Sequence, residues 1–286
     1  MNGGWWHLEY SGRSATDDGE LALALARSIM ASGGTYNCEA AAVAYVDWLY
    51  SSPFDMGGTT RQALTGPLRY PELSASDACS KAASLTSQAN GALMRVAPIG
   101  IAAHAAPTLA ASWARQDAVL THPHPVCLEA NAAYAAAIAA GIGSGRRQDM
   151  IEAALGVLGN GKSAQTVRGC LEAALEGHLP EEYQQQMGWV LIALQNAFYH
   201  LGAGDKAGHA IVETIRRGGD TDTNACIVGA LVGAVDGLEG LENAWLQKLQ
   251  SCRSHNESVK PRPIRFWPDD IFILAKALVT GSTPPS

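Results

Sequence analysis

From Leu128 to Ile142 the chain reads LEANAAYAAAIAAGI, in which eight of fifteen residues are alanine. Alanine is the strongest helix former and is depleted in strands. Its small side chain also lets neighbouring helices approach closely, so such a run is expected as a helix buried on several sides. MIEAALGVL, at 150–158, has the same character. Elsewhere apolar residues recur at helical spacing, as at Leu21, Leu25 and Ile29, and period-two alternation is almost absent. Charged residues make up 16% of the chain, against about 25% in an ordinary globular protein. That shortage implies helices covered on more than one face. The fold expected is all-α: a single compact orthogonal multi-helix domain over residues 1–280, with 281–286 a disordered tail.

The periodicity predicts helices over 38–50, 77–87, 109–120, 128–140, 149–158, 166–176, 183–201, 207–217, 223–235, 240–251 and 269–279. Net charge is −7 without a basic tract, which argues against a nucleic-acid backbone as partner. The six scattered cysteines form no C-x-x-C pair and read as thiols of a reducing compartment. No apolar run is seen to approach the ~20 residues of a membrane span, and MNGGWWHLEYSGRS lacks signal-peptide features. These features point to a soluble, cytoplasmic, monomeric protein without a membrane partner.

Two segments carry the chemistry. TDDGELALAL places Thr16, Asp17 and Asp18 at the start of one helix; GGDTDTNACIVGAL places Asp220, Asp222 and Thr223 at the start of another. Asp and Thr are favoured helix caps, and acidic groups there oppose the positive end of the helix dipole. A cap needs one such oxygen, whereas each start holds three. Asp269 and Asp270 in RFWPDDI lack threonine and glycine neighbours, so capping accounts for them. Six hard oxygen donors without His or Cys suit Mg2+ or Mn2+, and two facing helix starts could hold two ions. Gly218 and Gly219 free the backbone before Asp220, and Gly229 and Gly233 offer the following helix a smooth face.

TDD opening a helix, NGALMRVAPIGI in the middle and GGDTDTNACIVGALVGA near the end resemble the ADP-ribosylglycohydrolase family. The resemblance runs from about Gly3 to about Thr280. It implies an all-α fold with a dimetal site at helix N-termini, and Thr16, Asp17, Asp18, Asp220, Asp222 and Thr223 as the metal ligands, with Asp17, Asp18 and Asp222 also catalytic. The implied reaction is hydrolysis of the glycosidic bond between ADP-ribose and a modified side chain, with arginine as the expected acceptor, on a protein or a small ADP-ribosyl substrate, with ADP-ribose as product. Ser87, Gln88, Ala89, Asn90 and Gly91 fall where the family contacts the ligand, in a turn whose backbone N–H groups suit a pyrophosphate. His122 matches a family histidine near the ligand, while His124 reads as solvated. Trp189 matches an aromatic of the cleft, although spacing alone would seat it in the core with Leu194 and Phe198.

The sequence also departs from that pattern. Family members usually carry a longer segment before TDD, Glu9 is the sole acidic residue upstream of the first motif, and Gly19 stands where threonine is common. A module that binds ADP-ribose or a related nucleotide but cleaves it poorly, or a hydrolase of another linkage (serine, O-acetyl-ADP-ribose or a nucleic-acid end) with weak or no arginine activity, is therefore the alternative. A structural protein with capped helices is the third reading.

Overall fold

The computed structural model describes residues 15–104, 106–254 and 261–281. Glu9 and residues 282–286 lie outside them. Among the described residues regular structure is helical, apart from one isolated antiparallel bridge between Ala89 and Trp189. The first half holds α1 (Asp17–Ala31), α2 (Cys38–Tyr50), α3 (Gly58–Leu64), α4 (Gly66–Arg69), α5 (Ala75–Ala82), α6 (Ala97–Ala102) and α7 (Pro107–Val119). The second holds α8 (Pro125–Ser144), α9 (Arg147–Gly156), α10 (Lys162–Leu175), α11 (Val190–Ala203), α12 (Ala207–Arg216), α13 (Thr221–Asp236), α14 (Asn243–Gln250) and α15 (Ile271–Thr280).

The alanine-rich helix α8 is the central post, packed by α6, α7, α9, α10, α11 and α13. Its alanines are buried on every side. Small residues set how closely the neighbours approach: a Cβ on Gly100 of α6 would stand 2.7 Å from the Ile138 Cβ, and one on Gly141 would stand 2.8 Å from the Met150 Sδ. At 20 residues, α8 is long and apolar enough to cross a membrane, contrary to the sequence expectation, and 78% of its most apolar stretch is buried within this fold. His124, expected to be merely solvated, is the α8 N-cap: its Nδ1 accepts from the Val126 N–H at 3.2 Å.

Helices α1 and α13, which carry the two acidic starts, touch each other. α1 also packs on α2, α6 and α15. Its buried Glu20 accepts from Trp48 Nε1 at 2.7 Å and from Arg262 Nε and Nη2, each at 2.8 Å. α13 is tied to the post by Tyr134, whose hydroxyl donates to the Ile227 carbonyl at 2.8 Å. Asp270 makes no capping bond; Arg27 donates to its two oxygens at 2.7 and 2.9 Å. Asp269 pairs with Arg253 at 3.2 Å. These aspartates join distant segments, which corrects the capping explanation.

Several helix boundaries move. The helix expected over 77–87 ends at Ala82, because Ser84 and Ser87 accept from the backbone of Ser87 and Ala89 and hold a local turn. The helix expected over 183–201 begins at Val190, after irregular turns in which Glu182 has φ of +50°. The helix expected from Gly240 begins at Asn243. α3, α4 and α6 were not expected from the periodicity.

Gly100→Ala is expected to destabilise the protein by about 1–3 kcal/mol, since neither α6 nor Ile138 of α8 has room for the methyl group. Urea denaturation checks this; an unchanged midpoint would show that the helices can separate freely.

Candidate functional site

The two acidic helix starts converge on one cleft of about 210 Å³. Thr16 is the N-cap of α1 and Asp220 that of α13, yet neither side chain makes the capping bond. Instead the Thr16 hydroxyl donates to Asp18 Oδ2 at 2.8 Å, and Asn90 Nδ2 donates to Asp220 Oδ2 at 2.8 Å. Asp18 and Asp220 are thus held at the two helix starts by side-chain partners, Thr16 and Asn90. Gly218 and Gly219 have φ of +78° and +70°, backbone that favours glycine. A Cβ on Gly219 would also stand 3.1 Å from the Met187 Cβ. Gly229 lies close to Ile211 of α12, whereas Gly233 faces open space and supports no close packing.

Of the six expected donors, Asp17, Asp220, Asp222 and Thr223 line the cleft. Asp18 lies behind it, 2% exposed, with Thr16 bonded to it. Ala89, Asn90, Gly91 and His122 line the same cleft. Ser87, Gln88 and Trp189 do not. Ser87 Oγ bonds to Thr59 Oγ1 at 2.9 Å, and Trp189 Nε1 donates to Gln88 Oε1 at 3.0 Å. Gln88 and Trp189 border an adjoining hollow with Ala89, and Trp189 also borders a further one of about 730 Å³. Trp189 is thus the half-buried N-cap of α11, not part of an interior helix turn. The turn at 88–91 is not an open ring of N–H donors either, since Asn90 N donates to the Gly188 carbonyl at 3.0 Å.

Sequence reasoning passed over one wall. Asp55, Gly57, Gly58, Thr59 and Thr60 complete the cleft, and DMGGTT repeats the aspartate, paired-glycine and threonine composition of GGDTDT. That likeness was the available signal.

Burial pushes the Asp17 carboxyl up to about 7, helped by the charges of Asp18, Asp55 and Asp222. Burial likewise raises Asp18 to about 6, against the opposing Thr16 hydrogen bond. Asp220 is raised mainly by burial. His122 moves the other way, to about 3, through burial and then the nearby Arg95 charge. Asp18 Oδ1 is buried without a hydrogen-bond partner. A buried carboxylate oxygen left bare beside other carboxylates suits a cation better than any group present. Among the described residues, no three His, Cys, Asp or Glu side chains are gathered into a finished ion cage. An ion would therefore have to enlist hydroxyls and draw the carboxylates inward.

The sequence profile of the ADP-ribosylglycohydrolase family matches residues 2–283. This chain belongs to that family. The ADP-ribosyl-[dinitrogen reductase] glycohydrolase of Rhodospirillum rubrum is 28% identical over 87% of this chain and 78% of its own length. A putative ADP-ribosyl glycohydrolase of Acanthamoeba polyphaga mimivirus is 26% identical over 84% of this chain and 76% of its own. Among solved structures, an ADP-ribosylglycohydrolase-related protein complex is similar with a TM-score of 0.67 and 26% identity, covering 94% of this chain and 82% of that one. The helical architecture is that of the family, and membership supports hydrolysis of ADP-ribosyl linkages.

The raised carboxylates set a pH dependence. Asp17 binds its proton more tightly folded, at about 7, than at its ordinary 3.8. The fold therefore loses stability as pH rises through the window from about 4 to about 7. In chelator, Asp17→Asn is expected to lessen that loss, raising the melting temperature at pH 8 by roughly 2–4 °C per kcal/mol of relieved destabilisation, while Asp18 and Asp220 still contribute. Melting curves from pH 4 to 8 check it, and parallel curves for the two proteins would refute it.

Proposed function

We propose that this protein is a metal-dependent hydrolase that removes ADP-ribose from modified side chains, with ADP-ribosyl-arginine as its substrate. The observation that carries the reading is the convergence of Asp17, Asp220, Asp222 and Thr223 on one cleft, with no capping bond from either N-cap side chain. Two divalent cations, Mg2+ or Mn2+, would be held by Thr16, Asp17, Asp18, Asp220, Asp222 and Thr223. When bound, they supply Lewis acidity toward the oxygens of the substrate ribose.

The chain's own residues do the rest. Asn90 and Thr16 orient Asp220 and Asp18 through their hydrogen bonds. Asp17, with a carboxyl near neutrality, is suited to hold or pass a proton at physiological pH. The remaining carboxylates favour positive charge developing at the anomeric carbon. In the reaction, water supplies oxygen to that carbon, the bond to the acceptor nitrogen breaks, and the acceptor leaves with a proton. The arginine preference is supported by the acidic rim. Asp55 is exposed, lines the cleft and acts on Asp17 through its charge, so a guanidinium leaving group meets a complementary carboxylate. The free state of all six cysteines accords with a reducing, cytoplasmic setting.

The test is release of free ADP-ribose from an ADP-ribosyl-arginine protein with Mg2+, Mn2+ or chelator. Cation-dependent release that falls by about 10²–10⁴-fold in Asp222→Asn is the expected result. Absence of release from a folded protein that binds ADP-ribose would assign the binding-module role. Release from serine or O-acetyl linkages alone would replace arginine as substrate. For the rim, Asp55→Asn is expected to raise KM for the arginine substrate about fivefold; an unchanged KM would remove Asp55 from acceptor recognition.

A further inference from the structure

Behind the cleft runs a line of buried polar groups for which the carboxylate site has no use. Arg95 is fully buried. Its Nε donates to Asp117 Oδ2 at 3.0 Å, its Nη2 to the Asp117 carbonyl at 3.1 Å and its Nη1 to Thr121 Oγ1 at 2.8 Å. Tyr45 donates to the other Asp117 oxygen at 2.8 Å, and its ring faces the guanidinium at 4.4 Å. Thr121, also fully buried, places Oγ1 2.8 Å from His122 Nδ1. The line ends at His122 Nε2, which is buried without a partner beside Gly91 in the cleft wall; a Cβ on Gly91 would stand 3.2 Å from it.

The donor and acceptor capacities along this line select one arrangement. A guanidinium only donates, so Thr121 Oγ1 accepts from Arg95. The hydroxyl proton then needs an acceptor, and His122 Nδ1 stands in reach. Were the imidazole proton on Nδ1, two donors would point at one oxygen and the buried hydroxyl proton would be left without a partner. We propose that Arg95 and Thr121 are positioning residues that lock His122 as the neutral Nε2–H tautomer, a fixed donor aimed into the cleft at an acceptor oxygen of the ligand. The positive charge of Arg95 and the burial of the ring work in the same direction, since both disfavour an imidazolium. His122 is thereby excluded from proton transfer at neutral pH and committed to recognition.

This gives the cleft a polarity. His122 offers a hydrogen to a phosphate or hydroxyl oxygen, while Asp55 and the helix-start carboxylates attract the cationic part of the ligand. The ligand half of the inference rests on the ADP-ribosyl reading; the tautomer does not.

Long-range proton–nitrogen correlation spectra of the 15N-labelled full chain at pH 7 test it, with the His122 signals assigned by their loss in His122→Gln. The expected wild-type result is a protonated Nε2 and a bare Nδ1. Thr121→Val removes the relay. It is expected to shift His122 toward the Nδ1–H form and weaken ADP-ribose binding about tenfold, while Thr121→Ser restores both. A wild-type ring protonated at Nδ1 or at both nitrogens overturns the proposal even if Thr121→Val fails to fold. So does a Thr121→Val protein with unchanged tautomer. A wild-type protein with the Nε2–H tautomer that binds no ADP-ribose overturns the ligand half together with the ADP-ribosyl reading, and leaves the tautomer standing.

Discussion

Repulsion among carboxylates is the constraint around which this structure is arranged. Asp17, Asp18 and Asp220 have raised proton affinity, through burial first and then through the negative charge of their neighbours, Asp222 among them. Like charges in a partly buried site tend to separate, so each helix has to be anchored away from the cleft. α1 is anchored through Glu20, buried between Arg262 and Trp48. α13 is anchored to the central post through Tyr134. A buried ion pair such as Glu20–Arg262 gives little net stability, because desolvation offsets most of the Coulombic gain. What it does give is a defined orientation, which an acidic cluster requires.

The cleft's other walls are joined by the same logic. The Ala89–Trp189 bridge ties the 83–91 loop to the irregular segment before α11, and Asn90 connects that loop to Asp220. Met187 and Tyr183 of that irregular segment press against Gly219. The loop that borders the cleft and the turn that carries Asp220 are therefore tied to each other and to the segment before α11.

The sequence made the helices legible wherever local chemistry decides. α2 has the expected bounds because Asn37 caps its start, with its side chain accepting from the Ala40 N–H. The GGD turn was readable because two successive positive φ angles call for glycine. Prediction failed where distant contacts decide. The segment before Trp189 has helical composition but is held irregular by its neighbours at 88–90 and 218–219. Asp55 was passed over, since nothing in its own stretch shows that it lines the cleft with Asp17. Arg262 lies 242 residues from Glu20, a separation no local pattern reveals.

The two acidic helix starts are proposed to form a divalent-cation site. Titration of Mn2+ into the metal-free chain, with free ion counted by electron paramagnetic resonance, tests it most directly. Saturable binding of two ions per chain, lost in an Asp220→Asn, Asp222→Asn double variant that remains folded, is the predicted result. A folded wild-type chain that takes up no ion, or a double variant that binds as the wild type does, would contradict it.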